Sequence, residues 1–85
     1  MEYLVLKLMD GGKIKVVFDP SSLQYSVHKY KKGGDFEKTF ESVQSIDLIS
    51  FIKENCDDEN EPYAPIVCKA LKKGIPPTSI HKIPR

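Results

Sequence analysis

The sequence predicts an α+β domain, in which an antiparallel sheet of three to four strands forms a meander and is followed by two helices packed on one face. Three observations support this: apolar alternation across residues 3–18, a glycine pair at residues 33–34, and an apolar stripe at helical spacing in residues 45–55. A chain of 85 residues fits one domain. We place this domain at residues 1–75 and expect an extended, proline-rich tail at residues 76–85.

The first hairpin is predicted around the glycine pair at residues 11–12. Apolar side chains alternate on both sides of it, at Leu4, Leu6, Leu8, Ile14, Val16 and Phe18. A three-residue loop from Asp10 to Gly12 would place Leu8 opposite Ile14 and keep one face apolar. This register requires Gly12 to adopt a left-handed conformation.

Two more strands are predicted beside the second glycine pair. Residues 23–30 alternate, with Leu23, Tyr25 and Val27 on the apolar face. Residues 36–43 fit a strand or a helix, and the preceding turn favours a strand. Because the glycine pair lacks the Walker spacing and its terminal Lys-Ser/Thr, we interpret it as a hairpin turn and not as a phosphate-binding loop.

Two helices are predicted after the strands. The first spans residues 45–55, with Ser45 as its cap and Asp47 at the positive end of its dipole. The second has Pro65 in its first turn and Gly74 at its C-terminal cap. The predicted core consists of Leu4, Leu6, Leu8, Ile14, Val16, Phe18, Leu23, Tyr25, Val27, Leu48, Ile49, Ile52, Ile66, Val67, Ala70 and Leu71.

Charge is segregated along the chain although the net charge is only +1. Residues 1–34 carry six lysines against three acidic residues, residues 35–61 carry two lysines against nine, and residues 62–85 carry five basic residues and no acidic one. The simplest interpretation of the acidic block is a solvated or internally complemented surface. The functional interpretation is a surface that steers a basic partner.

The leading functional prediction is a non-enzymatic interaction module that binds a protein partner with a basic surface, with a regulatory or inhibitory outcome. Asp47, Phe51 and Glu54 share one helix face by their spacing. Phe51 could be an exposed aromatic anchor or could lie at the margin of the core. The predicted protein-binding residues are Asp47, Phe51, Glu54, Asp57, Asp58, Glu59 and Glu61.

The alternative prediction is a domain that binds single-stranded DNA or RNA through a lysine-rich hairpin. Lysines can hold phosphates and tyrosines can stack on bases. Strand periodicity divides these side chains between two faces, and edge lysines also protect sheets from aggregation. The residues predicted for this alternative are Lys13, Lys15, Tyr25, Lys29, Tyr30, Lys31 and Lys32.

Catalytic and metal-binding patterns are weak in this sequence. Cys56 and Cys68 are separated by eleven residues, and neither His28 nor His81 follows them at zinc-finger spacing. The acidic run at residues 57–61 lacks the register of a calcium loop. We therefore predict no cofactor, no metal and no enzymatic activity.

The sequence also predicts a cytoplasmic location. Two cysteines do not form a secreted-type framework, and we expect both thiols to be reduced. The N-terminus lacks the features of a signal peptide, and no apolar run has the length of a transmembrane helix, so we predict no membrane association. The prediction for the oligomeric state leaves monomer and homodimer open.

The predicted order of four antiparallel strands and then a helix is similar in outline to the PUR repeat, a module that binds single-stranded nucleic acid. The resemblance is one of topology, covers roughly residues 1–55, and involves no shared motif. It transfers no residue roles.

Overall fold

A computed structural model describes residues 3–76 and shows a four-stranded antiparallel sheet followed by two helices. The strands are β1 (Tyr3–Lys7), β2 (Lys13–Asp19), β3 (Gln24–Tyr30) and β4 (Phe36–Val43), and the helices are α1 (Ser45–Asn55) and α2 (Ala64–Lys72). The spatial order β1-β2-β3-β4 is a meander. The predicted α+β class is confirmed, and the ambiguous stretch at residues 36–43 is a strand. The predicted tail lies outside the described residues, except for Pro76.

The core lies between one face of the sheet, which we call the inner face, and the two helices. Strand alternation buries Leu6, Ile14 and Val16, and helical spacing buries Leu48 and Ile52 of α1. The helix α2 adds Val67 and Leu71, among others, to the same cluster. Each fully buried side chain of this size contributes about 1.5–3 kcal/mol, which makes this layer the main source of stability.

The register of the first hairpin differs from the prediction by two residues. Leu6 lies opposite Ile14, and the loop is closed by the Leu8 N–H, which donates to the Gly12 carbonyl over 2.9 Å. Gly11, with a φ of 91°, is therefore the left-handed residue, and the prediction for Gly12 is wrong. An even shift leaves every side chain on its original face, so the apolar pattern cannot distinguish the two registers.

Two residues predicted for the core are exposed. Leu23 is 70% exposed because the turn before β3 extends through it: its N–H donates to the Asp19 carbonyl over 2.9 Å, and its φ is 58°. Ile66 is 43% exposed on the outer side of α2. Phe18 and Ile49 are only partly buried against the core. Among the described residues, three buried apolar ones were absent from the predicted core, namely Cys56, Ala64 and Cys68.

The helix ends agree with the predictions except at Ser45. Ser45 is the first helical residue, and no side-chain cap forms at the preceding position. Asn55 ends α1 as predicted. At the end of α2, the Ile75 N–H donates to the Ala70 carbonyl over 2.9 Å, a Schellman arrangement with Gly74 at its predicted place.

Candidate binding surfaces

An open groove of about 380 Å³ lies between β4 and the first half of α1. Phe40 and Phe51 form an aromatic wall, with ring centroids 6.1 Å apart. The exposed side chains of Glu41 and Asp47 lie at its rim. We call this feature the β4–α1 groove, and its lining residues are Val27, Phe40, Glu41, Ser42, Val43, Asp47, Leu48 and Phe51.

The groove exists because α1 does not cover the outermost strand. A single residue, Gln44, connects β4 to α1, and Ser42 adopts a φ of 57° in an irregular part of β4, between the residues paired with Val27 and with Tyr25. The helix then buries Leu48 and Ile52 against the core, while Phe51 stays half-buried. Along β4 the apolar residues that are partly buried are Phe40 and Val43. Apolar surface therefore remains accessible beside the edge strand.

The predicted protein-binding residues do not form one patch. Asp47 and Phe51 line the β4–α1 groove. Phe51 packs against the core and also lines the groove. It therefore lies at the margin of the core and is at the same time accessible to a partner. Glu54 is exposed one turn further along α1.

The acidic residues after α1 have different environments. The Asp57 carboxyl group accepts hydrogen bonds from the Glu59 N–H at 3.0 Å and the Asn60 side chain at 3.2 Å, so it holds the loop together. Asp58 and Glu59 are exposed. These two exposed acids extend the acidic surface beyond α1.

The prediction that Glu61 binds a partner is wrong, because its side chain is 0% exposed. Its carboxyl group accepts hydrogen bonds from the Lys7 N–H at 2.8 Å and the Tyr63 N–H at 3.4 Å. Glu61 therefore fastens the loop between the helices to the edge of β1. An acidic run is normally solvated. Its sequence gives no sign that one of its carboxyl groups accepts a hydrogen bond from a backbone N–H of a distant strand.

The sheet face opposite the helices, which we call the outer face, carries lysines and aromatic rings. The register places Lys7, Lys13, Tyr30 and Phe36 in one row across all four strands. In the neighbouring rows, the Lys15 Nζ atom lies 4.4 Å from the centroid of the Tyr3 ring. We call these side chains the outer-face cluster, which comprises Tyr3, Lys7, Lys13, Lys15, Tyr30 and Phe36.

The residues predicted to bind nucleic acid fall into three groups. Lys13, Lys15 and Tyr30 belong to the outer-face cluster, whereas Lys31 and Lys32 are exposed in the turn between β3 and β4.

Tyr25 and Lys29 do not lie on the outer face. Tyr25 is buried in the core, because its position in β3 faces inward. Lys29 alternates to the same side and forms an ion pair with Glu37 at 3.2 Å. The interpretation of Tyr25 as a base-stacking residue is therefore wrong.

Sequence reasoning missed Tyr3, Lys7 and Phe36 as members of this cluster. The signal was present in the period-two pattern, because Tyr3 and Lys7 alternate with the buried Leu4 and Leu6. What the pattern lacked was the pairing of strands, which brings Phe36 beside Tyr30 with ring centroids 5.7 Å apart.

The two thiols are packing groups in this structure. Burial, followed by the negative charge of Glu61, raises the pKa of the Cys56 thiol to about 11. Burial also raises the pKa of the Cys68 thiol. Thiols with raised pKa values are poor nucleophiles at neutral pH. Residues 3–76 contain no cluster of three or more metal-ligating side chains.

The chain matches no protein-family model, no curated protein and no solved structure. In the described part of the chain, no helix is long and apolar enough to cross a membrane. The geometry of the β4–α1 groove and of the outer-face cluster is therefore the basis for assigning a function.

Proposed function

We propose that the protein is a non-enzymatic interaction module that binds a basic, amphipathic segment of a partner protein in the β4–α1 groove. The observation that supports this proposal is the pairing of an accessible aromatic wall, Phe40 and Phe51, with exposed carboxylates at the rim, Glu41 and Asp47. An apolar anchor from the partner would fill the groove, and its Lys or Arg side chains would meet the rim.

Apolar contact would supply most of the affinity. Burying one large apolar side chain contributes about 1.5–3 kcal/mol, and aromatic anchors in pockets dominate many interfaces. The aromatic wall already accepts a cation from within the chain, because the Lys38 Nζ atom lies 4.8 Å from the centroid of the Phe40 ring. A partner's arginine or lysine could occupy a similar position.

Acidic residues would set the preference for a basic partner. Glu54, Asp58 and Glu59 are exposed and continue the negative surface from the rim along α1 and its following loop. Complementary charge mainly speeds association and excludes acidic competitors. An intracellular location and a regulatory or inhibitory role belong to the same proposal, and the two free thiols, Cys56 and Cys68, support the intracellular location.

Selection of random peptides displayed on phage tests this proposal and does not require an identified partner. Peptides selected on the wild-type protein should combine an aromatic or large aliphatic residue with Lys or Arg. Their synthetic forms should bind with an affinity that falls as salt is raised, and Asp47→Lys should weaken them about tenfold, because it reverses a charge at the rim.

The matched control is Asp35→Lys, which makes the same change of charge at an exposed turn remote from the groove. It should leave the affinity within about twofold, because charges separated by more than a Debye length are largely screened. Selected peptides without basic residues would contradict the proposal. Equal loss of affinity in Asp47→Lys and Asp35→Lys would contradict it as well. In an NMR titration with a selected peptide, chemical-shift changes at residues outside the groove would also contradict it.

A further inference from the structure

We propose that the outer-face cluster binds a short stretch of single-stranded nucleic acid. This goes beyond the proposed function, because it assigns a different class of ligand to the side of the sheet opposite the helices. The chemistry needed is a polyanion with accessible bases. Lysines supply the contacts to phosphate, and aromatic rings supply surfaces on which bases stack.

The aromatic side chains are accessible at two corners of the outer face. Tyr3 on β1 is 50% exposed and Phe36 on β4 is 57% exposed. Strand spacing and rise place these corners roughly 20 Å apart along the diagonal of the sheet. Tyr30 lies beside Phe36 and extends that corner inward. Two separated stacking surfaces suit an extended single strand of a few nucleotides.

Lys13 and Lys15 lie between these corners, and Lys7, at the β1 end of the Phe36 row, forms an unfavourable pair with Lys13. Lys7 and Lys13 are directly opposite each other on β1 and β2. Like charges in this position destabilise a sheet unless a counter-charge is present. Within residues 3–76, the ion pair that forms joins Lys29 to Glu37 and involves neither of them. A phosphate backbone would neutralise both lysines and release the counterions around itself.

The opposite end of the outer face limits the site. Asp19 lies at the end of β2, and its carboxyl group accepts hydrogen bonds from the Ser21 N–H and from the hydroxyls of Ser21 and Ser22. Glu41 lies near the same end of β4. These carboxylates would repel phosphate, so the strand is expected to follow the diagonal from Tyr3 to Phe36 and not to extend beyond Tyr3 toward Asp19.

Unpaired bases distinguish this ligand from its competitors. A duplex hides the faces of its bases, so Tyr3 and Phe36 could not stack on them. An acidic peptide could contact the lysines and would gain nothing from base stacking. The acidic block of a second copy is a further competitor, and because such a contact would join two different patches, it would assemble the protein into rings or filaments.

Fluorescence anisotropy can test the proposal. The labelled ligands are single-stranded DNA and RNA of mixed sequence, each about 12 nucleotides long, within the range of single-strand sites. The corresponding DNA duplex and a polyglutamate peptide complete the set. Titrations begin at about 50 mM salt, because phosphate contacts weaken steeply with salt. Wild-type protein should bind single strands more tightly than duplex or polyglutamate.

Three sets of variants locate the site. The triple variant Lys7→Gln, Lys13→Gln, Lys15→Gln should reduce the salt slope by about 2, at roughly 0.7 per lost phosphate contact. Phe36→Ser should weaken binding roughly tenfold through lost stacking. The matched control is Lys69→Gln, Lys72→Gln, Lys73→Gln, which removes three exposed lysines at the end of α2 and should leave the affinity within about twofold.

Four binding results would overturn the proposal, and a fifth comes from the assembly state. The four are no binding of single strands at the lowest salt, equal affinity for duplex or polyglutamate, equal loss in the two triple variants, and unchanged affinity in Phe36→Ser. Sedimentation of the protein alone tests the remaining competitor, which is the acidic block of a second copy. Concentration-dependent assembly that the Lys7, Lys13 and Lys15 changes abolish would assign the outer face to a second copy instead.

Discussion

Glu61 is the buried acidic residue on which the placement of the loop between the helices depends. Its carboxyl group accepts the Lys7 N–H at the edge of β1 and the Tyr63 N–H beside α2. Glu61→Ala would leave the Lys7 N–H without this acceptor and open a cavity in a fully buried position. We expect the free energy of unfolding to fall by about 2–4 kcal/mol, measured by urea denaturation.

The control for this prediction is Glu59→Ala, two residues earlier in the same loop. Glu59 is exposed, so its removal should change the free energy of unfolding by less than about 0.5 kcal/mol. Similar losses for the two variants would mean that the acidic run acts as a whole and that the Glu61 hydrogen bonds contribute little.

Gly12 and Gly34 test two different reasons for having glycine in a turn. A Cβ atom on Gly12 would lie 2.4 Å from the Tyr30 carbonyl oxygen, whereas one on Gly34 would meet nothing within 4 Å. Gly34 has a φ of 96°, in the left-handed region that asparagine tolerates better than most residues. Gly12→Ala should therefore cost about 1–3 kcal/mol by overpacking against the backbone of β3.

Gly34→Asn is the matched substitution, and it should cost at most about 1 kcal/mol, because space is available and only the left-handed φ of 96° is strained. Thermal or urea denaturation measures both effects. If Gly34→Asn costs as much as Gly12→Ala, the close approach of Gly12 to Tyr30 does not determine the stability of the turn.

At the scale of elements, local patterns predicted the strands and helices but not how they are paired. Alternation located the first two strands, yet it could not separate registers that differ by two residues, because both keep Leu6 and Ile14 on the inner face. The left-handed conformation of Leu23 depends on hydrogen bonds to Asp19, which alternation does not report.

The candidate sites were harder to predict, because each depends on contacts between distant segments. Phe36 joins Tyr30 and the lysines only after three strand pairings are fixed. The β4–α1 groove depends on how α1 crosses the sheet. The sequence predicted Asp47 and Phe51 on the helix side of the groove but none of the residues that β4 contributes. Glu61 reaches the backbone of Lys7, 54 positions earlier in the chain.

The buried thiol of Cys56, at the end of α1, predicts a loss of stability at alkaline pH. The pKa of Cys56 is about 11 in the folded protein against 9.0 in an ordinary environment, so the unfolded thiol ionises first. The stabilisation is complete below pH 9.0 and is lost as the pH rises through about 11. Burial raises the pKa values of Cys68 and Tyr25 as well, and both act in the same direction.

Urea denaturation of wild type and Cys56→Ala over this pH range measures the effect. The variant should lose less stability than wild type between pH 9.0 and about 11, although its stability at neutral pH is lower, because it lacks a buried side chain. The same alkaline decline in both proteins would show that other groups dominate.

At the scale of the whole molecule, the near-zero net charge conceals two surfaces of opposite sign. The lysines of the outer-face cluster lie on one side of the sheet, and the exposed acids of α1 and its following loop lie on the other. Residues 3–76 measure 32 × 25 × 23 Å. The smallest dimension exceeds the Debye length of about 8 Å at physiological salt.

The two proposed sites should therefore be independent at physiological salt and coupled at low salt. Asp47→Lys should weaken a groove-binding peptide about tenfold and leave single-strand affinity within about twofold, and Lys13→Glu should do the reverse. Lys13→Glu places an opposite charge across from Lys7, so the sheet is expected to retain its fold.

At about 0.01 M salt the Debye length reaches roughly 30 Å, and each variant should then also change binding at the other site. Isothermal titration calorimetry with each ligand at both salt concentrations measures the affinity of each variant. If a variant at one site still changes binding at the other site at physiological salt, the two surfaces are linked by contact or conformation and not by charge.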